Sequence, residues 1–170
     1  LASMEKRAPI VMANALNATQ TALKKHLAQH VKATNAYKKK IKNPEKELRA
    51  SYKNLRATLI YERNDVGLND FEVASGAFGS PRNTPGEKLS TKVRSEGALK
   101  PVSRAFVMRT GSKKIIVRRD TSARFPISRL FGPSEHNMVN HVWKEESTQE
   151  FTRKTLAEKL EEQINVVMLR

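Results

Sequence analysis

Phe125-Pro126-Ile127-Ser128-Arg129-Leu130-Phe131-Gly132-Pro133-Ser134 joins two kinds of chain. Segments with strand-like alternation lie before it, and a helical polar-apolar period follows it to the C-terminus. Phe125, Ile127 and Leu130 alternate with polar neighbours, as in a short half-buried strand. Pro126 has no N–H for a ladder, so the strand belongs at a sheet edge or begins at the proline. Gly132 has access to φ values closed to other residues. Pro133 suits a first helical position, and Ser134 or Gly132 can cap. Strand, sharp turn and helix start agree, so the block reads as a structural joint. Its Gly-Pro-Ser lacks the glycine spacing of a phosphate loop.

Working outward, residues 104–109 and 113–119 are two further strands. Thr110-Gly111-Ser112 between them is a hairpin signal. Residues 88–95 suit another strand. Residues 50–62 alternate with Leu55, Ala57, Leu59 and Tyr61 on one face, which predicts a strand against a core. Residues 64–76 read as a loop anchored by Val66, Leu68 and Phe71. Residues 79–101, rich in Gly, Pro and Ser, are expected to be a mobile loop.

Helices are expected at both ends. Met12, Leu16, Thr19, Leu23, Leu27 and Val31 recur at helical spacing within residues 5–32, with regular helix starting near Pro9. Residues 34–42 suggest a short basic helix ending before Pro44. From Ser134, Met138, Val142, Leu156, Leu160, Ile164 and Val167 form one stripe. A kink is expected near Glu146-Ser147. Trp143 and Phe151 lie off the stripe as core residues or as a candidate subunit interface. The whole is one α+β domain over residues 1–170, with an N-terminal helix, an antiparallel sheet of about four to five strands and a long C-terminal helix.

The 170 residues hold no cysteine, which removes disulfides, thiolate metal sites and cysteine nucleophiles. No apolar run spans a bilayer and no signal peptide is read, so no membrane partner is expected. The formal net charge is +15. It divides as +4 over residues 1–37, +3 over 38–81, +10 over 82–129 and −2 over 130–170. Such asymmetry points to a polyanion partner or to self-complementary contacts between subunits. Arg104, Arg109, Lys113, Lys114, Arg118 and Arg119 on the hairpin are the candidates for DNA or subunit contact. Alternation sends Arg118 and Arg119 to opposite faces. The basic residues show no interleaving with stacking aromatics, and no helix-turn-helix, RRM or zinc motif is read, which argues against a free nucleic-acid-binding protein.

No catalytic constellation is found: no paired carboxylates, nucleophile elbow, Gly-rich nucleotide loop or metal-ligand cluster. His26 and His30 have i, i+4 spacing, but no third ligand lies nearby in sequence. His136 and His141 point to different faces. No enzyme activity, cofactor or metal is expected.

Several stretches, in order, resemble the minor tail protein Z or tail-completion family of lambda-like long-tailed bacteriophages. These are Ala13-Asn14-Ala15-Leu16-Asn17-Ala18-Thr19, Tyr37-Lys38-Lys39-Lys40-Ile41-Lys42 and Asn54-Leu55-Arg56-Ala57-Thr58-Leu59-Ile60. Arg104-Ala105-Phe106-Val107 with Ile115-Ile116-Val117-Arg118-Arg119 follows, then Phe125-Pro126-Ile127 with Gly132-Pro133-Ser134. Residues 79–101 carry no such likeness. The resemblance implies a structural virion protein at the head-proximal end of the tail, assembled in the host cytoplasm, which completes tails for joining to heads. Its implied partners are other tail or neck proteins, copies of itself in a ring (a hexamer) and double-stranded DNA in the lumen. The positive middle of one copy could meet the acidic C-terminal helix of the next. The alternative is a free nucleic-acid-binding protein acting through the basic hairpin.

Overall fold

The computed structural model describes residues 2–74 and 89–168, with side chains from Arg7 onward. Helices at both ends of the chain order and small antiparallel sheets between them make an α+β fold, as expected. Length suggests one domain; the residues group into two compact units. Unit 1 comprises Leu1–His30, Lys42–Glu62 and Val139–Arg170, and unit 2 comprises Val31–Ile41 and Arg63–Met138.

In unit 1, helix α1 (Ala2–Thr34) contains Pro9 rather than starting near it. The missing N–H there affects only the opening turns. Thr19, Leu27 and Val31 of the expected stripe are buried, and only its N-terminal part is shifted. Val11, Ala13, Ala15, Thr19, Gln20 and Leu27 are buried, whereas Met12 is exposed. Small alanines let a neighbour approach closely, which the apolar period alone does not weigh. Strands β1 (Lys46–Leu48) and β2 (Thr58–Ile60) pair antiparallel. The strand expected over 50–62 is thus only three residues long. Ser51 and Asn54 close a turn through mutual backbone bonds of 2.8 and 3.0 Å. Leu55 is exposed, while Ala57, Leu59 and Tyr61 of the same alternating face are half-buried. Side-chain amides on α1 also hold this ribbon. Asn17 bonds both the N–H and the carbonyl of Ala50 (2.8 and 3.0 Å), and Gln20 Nε2 donates to the carbonyls of Leu48 and Thr58 (3.0 and 2.8 Å).

Helix α2 (Glu135–Trp143) and helix α3 (Glu146–Met168) are separated at Lys144 and Glu145, close to the expected kink. Helices α3 and α1 run antiparallel. His26 stacks on Phe151 at 4.0 Å, and twelve residues away on each helix Asn14 Nδ2 donates to Gln163 Oε1 at 3.4 Å.

Unit 2 is built from short strands: β3 (Val66–Gly67), β4 (Glu72–Val73), β5 (Ser90–Lys92), β6 (Lys100–Pro101), β7 (Ala105–Thr110), β8 (Lys113–Arg119), β9 (Ile127–Arg129) and β10 (Phe131–Gly132). They form sheets β4-β5-β6, β7-β8-β9 and β3-β10, not one larger sheet. Val66, Leu68 and Phe71 are buried, as their anchoring role requires. Residues 79–88 of the expected loop lie outside the described residues. Residues 89–101 are not a bare loop, because they hold β5 and β6 with Leu89 and Thr91 buried.

The helix expected over 34–42 is absent beyond Thr34. Residues 35–38 are extended, with Ala36 N donating to the Val93 carbonyl and Lys38 N to that of Asp70, both at 2.9 Å. Tertiary contacts override the local helical pattern here. Tyr37 packs on Phe71 with centroids 5.4 Å apart and donates to buried Glu135 Oε1 at 2.8 Å. Burial, then that hydrogen bond, push the Tyr37 phenol well above its ordinary value.

The joint at 125–134 has the expected order with different details. Phe125–Pro126 is a cis peptide, β9 is an edge strand, and Ser134 Oγ accepts from Asn137 N at 3.2 Å as the α2 cap. Phe125 is exposed rather than half-buried. Gly132 needs no unusual φ; it gives room. A Cβ at this position would lie 2.2 Å from Phe71 Cε2. Gly132→Ala should therefore destabilise the protein by about 1–3 kcal/mol, the usual cost of overpacking. Chemical denaturation measures it, and a change under about 0.5 kcal/mol, the ordinary surface value, contradicts this packing.

Candidate functional site

The sheet β7-β8-β9 concentrates charge. Residues 104–129 contain eight Lys/Arg and one acid, Asp120, a net +7. Its hairpin forms because Gly111, at φ 61, supplies the left-handed residue that a two-residue turn needs. Register then assigns faces. Arg109 lies directly opposite Lys114 and Ala105 opposite Arg118, so one face carries Arg109, Lys114 and Arg118 around Val107 and Ile116. The other carries Lys113 and Arg119, with Arg129 from β9 opposite Val117. The sequence-derived candidates are therefore divided between two faces, as alternation requires for Arg118 and Arg119.

Burial orders the ribbon from root to tip. Ile116 and Val117 are 0% and 2% exposed and Ala105 is buried, which fixes the root on both faces. Arg109, Thr110, Gly111, Ser112 and Lys113 are all exposed, so the tip presents cations on both faces. Lys114 and Arg118, four residues apart, are separated by roughly 13 Å along the strand.

Arg104 is outside the strand, at φ 56. Its carbonyl accepts from Arg119 N at 3.2 Å and its Nη1 donates to the Asp120 carbonyl at 3.3 Å. Asp120 also accepts from Ser128 Oγ, and Arg118 Nη2 lies 3.8 Å from its Oδ1. At that separation and exposure the Arg118–Asp120 pair contributes little, so Arg118 keeps most of its field.

Aromatic rings accompany these cations after all. Arg119 lies over Phe106 at 5.2 Å, Arg129 over Phe131 at 5.0 Å and Arg124 over Phe125 at 5.7 Å. The Arg119–Phe106 pair crosses strands, so only register reveals it. Arg129 and Arg124 were absent from the candidates, although an arginine one or two residues before a phenylalanine was a legible signal. Such contacts set guanidinium charge beside aromatic rings, the two kinds of group that nucleic-acid surfaces combine.

The other two candidates differ in exposure. Trp143 is 40% exposed, whereas Phe151 is half-buried against His26. Among the described residues no three His, Cys, Asp or Glu are arranged to hold a metal, and no helix is long and apolar enough to cross a membrane. Comparison of the chain with protein-family models, curated proteins and solved structures returned no match.

The directly opposed Arg109 and Lys114 are like charges on one face, an arrangement that lowers hairpin stability. Arg109→Glu should raise stability by about 0.2–1 kcal/mol through a cross-strand ion pair. It should also weaken retention on duplex DNA and reduce the salt slope by about one to two. Thermal unfolding and a salt-titrated binding assay read the two effects. Unchanged DNA retention contradicts the tip as a polyanion contact.

Proposed function

We propose that this chain is a structural virion protein at the head-proximal end of a phage tail, completing the tail for head joining by assembling as a ring with itself and with neighbouring tail or neck proteins. The observation that carries this reading is the apolar end of unit 1. Beyond the Asn14–Gln163 contact, Ile10 and Met12 of α1 are 50% and 44% exposed, and Ile164, Val166 and Met168 of α3 are 41%, 49% and 68% exposed. Five exposed apolar side chains toward one end of a helix pair supply apolar area for a protein–protein interface. The ordered resemblance to the tail-completion family supports the same reading.

The basic sheet has a second role within it, toward DNA in the lumen. Helix α3 carries five acids and three bases, a net −2, so one neighbouring helix cannot neutralise the +7 of residues 104–129. Duplex DNA, with one charge per ~1.7 Å, can. The three arginine–phenylalanine cation–π pairs also favour a second reading, a free nucleic-acid-binding protein. Tight, steeply salt-dependent binding by the isolated chain would select that second reading.

Light scattering of the purified chain should report self-association that Val166→Glu abolishes. In particles, charge reversal at Lys113, Lys114 and Arg118 should reduce head–tail joining. A monomer at every concentration, together with normal infectious particles from the charge-reversed variant, contradicts the proposal.

A further inference from the structure

Unit 1 gathers four ionisable side chains that sequence keeps apart. His26 and His30 are one turn apart on α1, and His141 and Glu145 one turn apart where α2 gives way to α3. His30 Nδ1 lies 3.4 Å from Glu145 Oε2, and His141 Nδ1 lies 3.4 Å from Glu145 Oε1. Each carboxylate oxygen already faces an imidazole. His26 is the third ring. It lies nearly flat on Phe151, at 4.0 Å and 11°, with the His30 ring 5.4 Å away. Its Nε2 is sealed from solvent and has no hydrogen-bond partner among the described residues.

A neutral imidazole suits that position, because stacking needs no charge and buries little polarity. An imidazolium does not. A proton on Nε2 would have no acceptor among the described residues, its charge would be partly desolvated, and Glu145 already faces two other rings. We propose that His26 is a proton-triggered release for the packing of α1 on α3: protonating it expels the ring from its stack on Phe151 and loosens the helix pair. The charges acting on His26 are His30 on its own helix and Glu145 at the α2–α3 joint, which His141 also faces; α3 opposes it with the uncharged Phe151.

The direction follows from linkage. Burial, then His30, lower the His26 value below its ordinary 6.5, and Glu145 opposes them in part. The unfolded chain then binds the proton more readily than the folded one. The stabilising contribution is present above pH 6.5 and is lost as pH falls from 6.5 toward the folded value. This release is independent of the tail-completion reading.

The test uses the full chain. NMR titration of the histidine ring signals should give His26 a midpoint below 6.5, with Phe151 ring signals shifting at the same pH. Each unit of depression costs about tenfold in the folding equilibrium constant. Denaturant unfolding at about pH 7.5 and about pH 5 should show that loss in wild type and its absence in His26→Phe. Glu145→Gln should move the His26 midpoint still lower. A His26 midpoint at or above 6.5, or an equal acid loss in His26→Phe, overturns the proposal. Should His26→Phe not fold, the wild-type midpoint decides.

Discussion

The contact of Phe71 with Gly132 is the constraint on which unit 2 depends. Phe71 is fully buried, and its ring occupies the space a side chain at 132 would need. Strand β10 can therefore lie against β3, with Phe131 opposite Gly67 and Gly132 opposite Val66. Leu130, just before it, ties the basic sheet in: its N–H donates to Ile116 at 2.9 Å and its carbonyl accepts from Leu68 at 3.1 Å. Tyr37 meets the Phe71 ring and reaches Glu135, at the first turn of α2. One aromatic ring thus locates the extended 35–38 segment, the short β3-β10 pair, the root of the hairpin and the start of a helix.

This organisation was partly legible in the sequence. The hairpin was readable because Gly111 and two alternating runs are local signals. The cap at Ser134 and the break near Glu146 were readable for the same reason. Tyr37-Lys38-Lys39-Lys40 misled because a basic run near a helix looks helical, while the decisive partners of Tyr37 are Phe71 and Glu135, the latter 98 residues away. Residues 50–57 misled because alternation implies a continuous strand, whereas Ser51 and Asn54 close a turn there and the strand begins only at Thr58. Gly132 was singled out for its backbone freedom, yet its role is the absent Cβ. Of the site, the cations were legible and their division between faces followed from alternation. The Arg119–Phe106 pair and the joining of His26, His30, His141 and Glu145 were not, since both need tertiary register.

The two units carry different surface chemistry. In unit 1, polar amides hold a ribbon, a histidine stacks on a phenylalanine, and an end of the helix pair stays apolar and exposed. In unit 2, a buried aromatic node supports a ribbon whose exposed tip concentrates like charge. Apolar exposure suits lasting association with protein; a +7 sheet with opposed like charges suits a partner of high negative charge density. Assembly with DNA threading the product would use both.

The most direct test is an electron cryo-microscopy reconstruction of intact tailed particles produced with this chain. We predict a closed ring of this chain at the head-proximal end of the tail, with the α1–α3 apolar end buried between copies and the Arg109–Lys114 tip facing lumenal DNA. Particles that lack the chain, or that carry it with that apolar end open to solvent and the hairpin turned away from DNA, would contradict it.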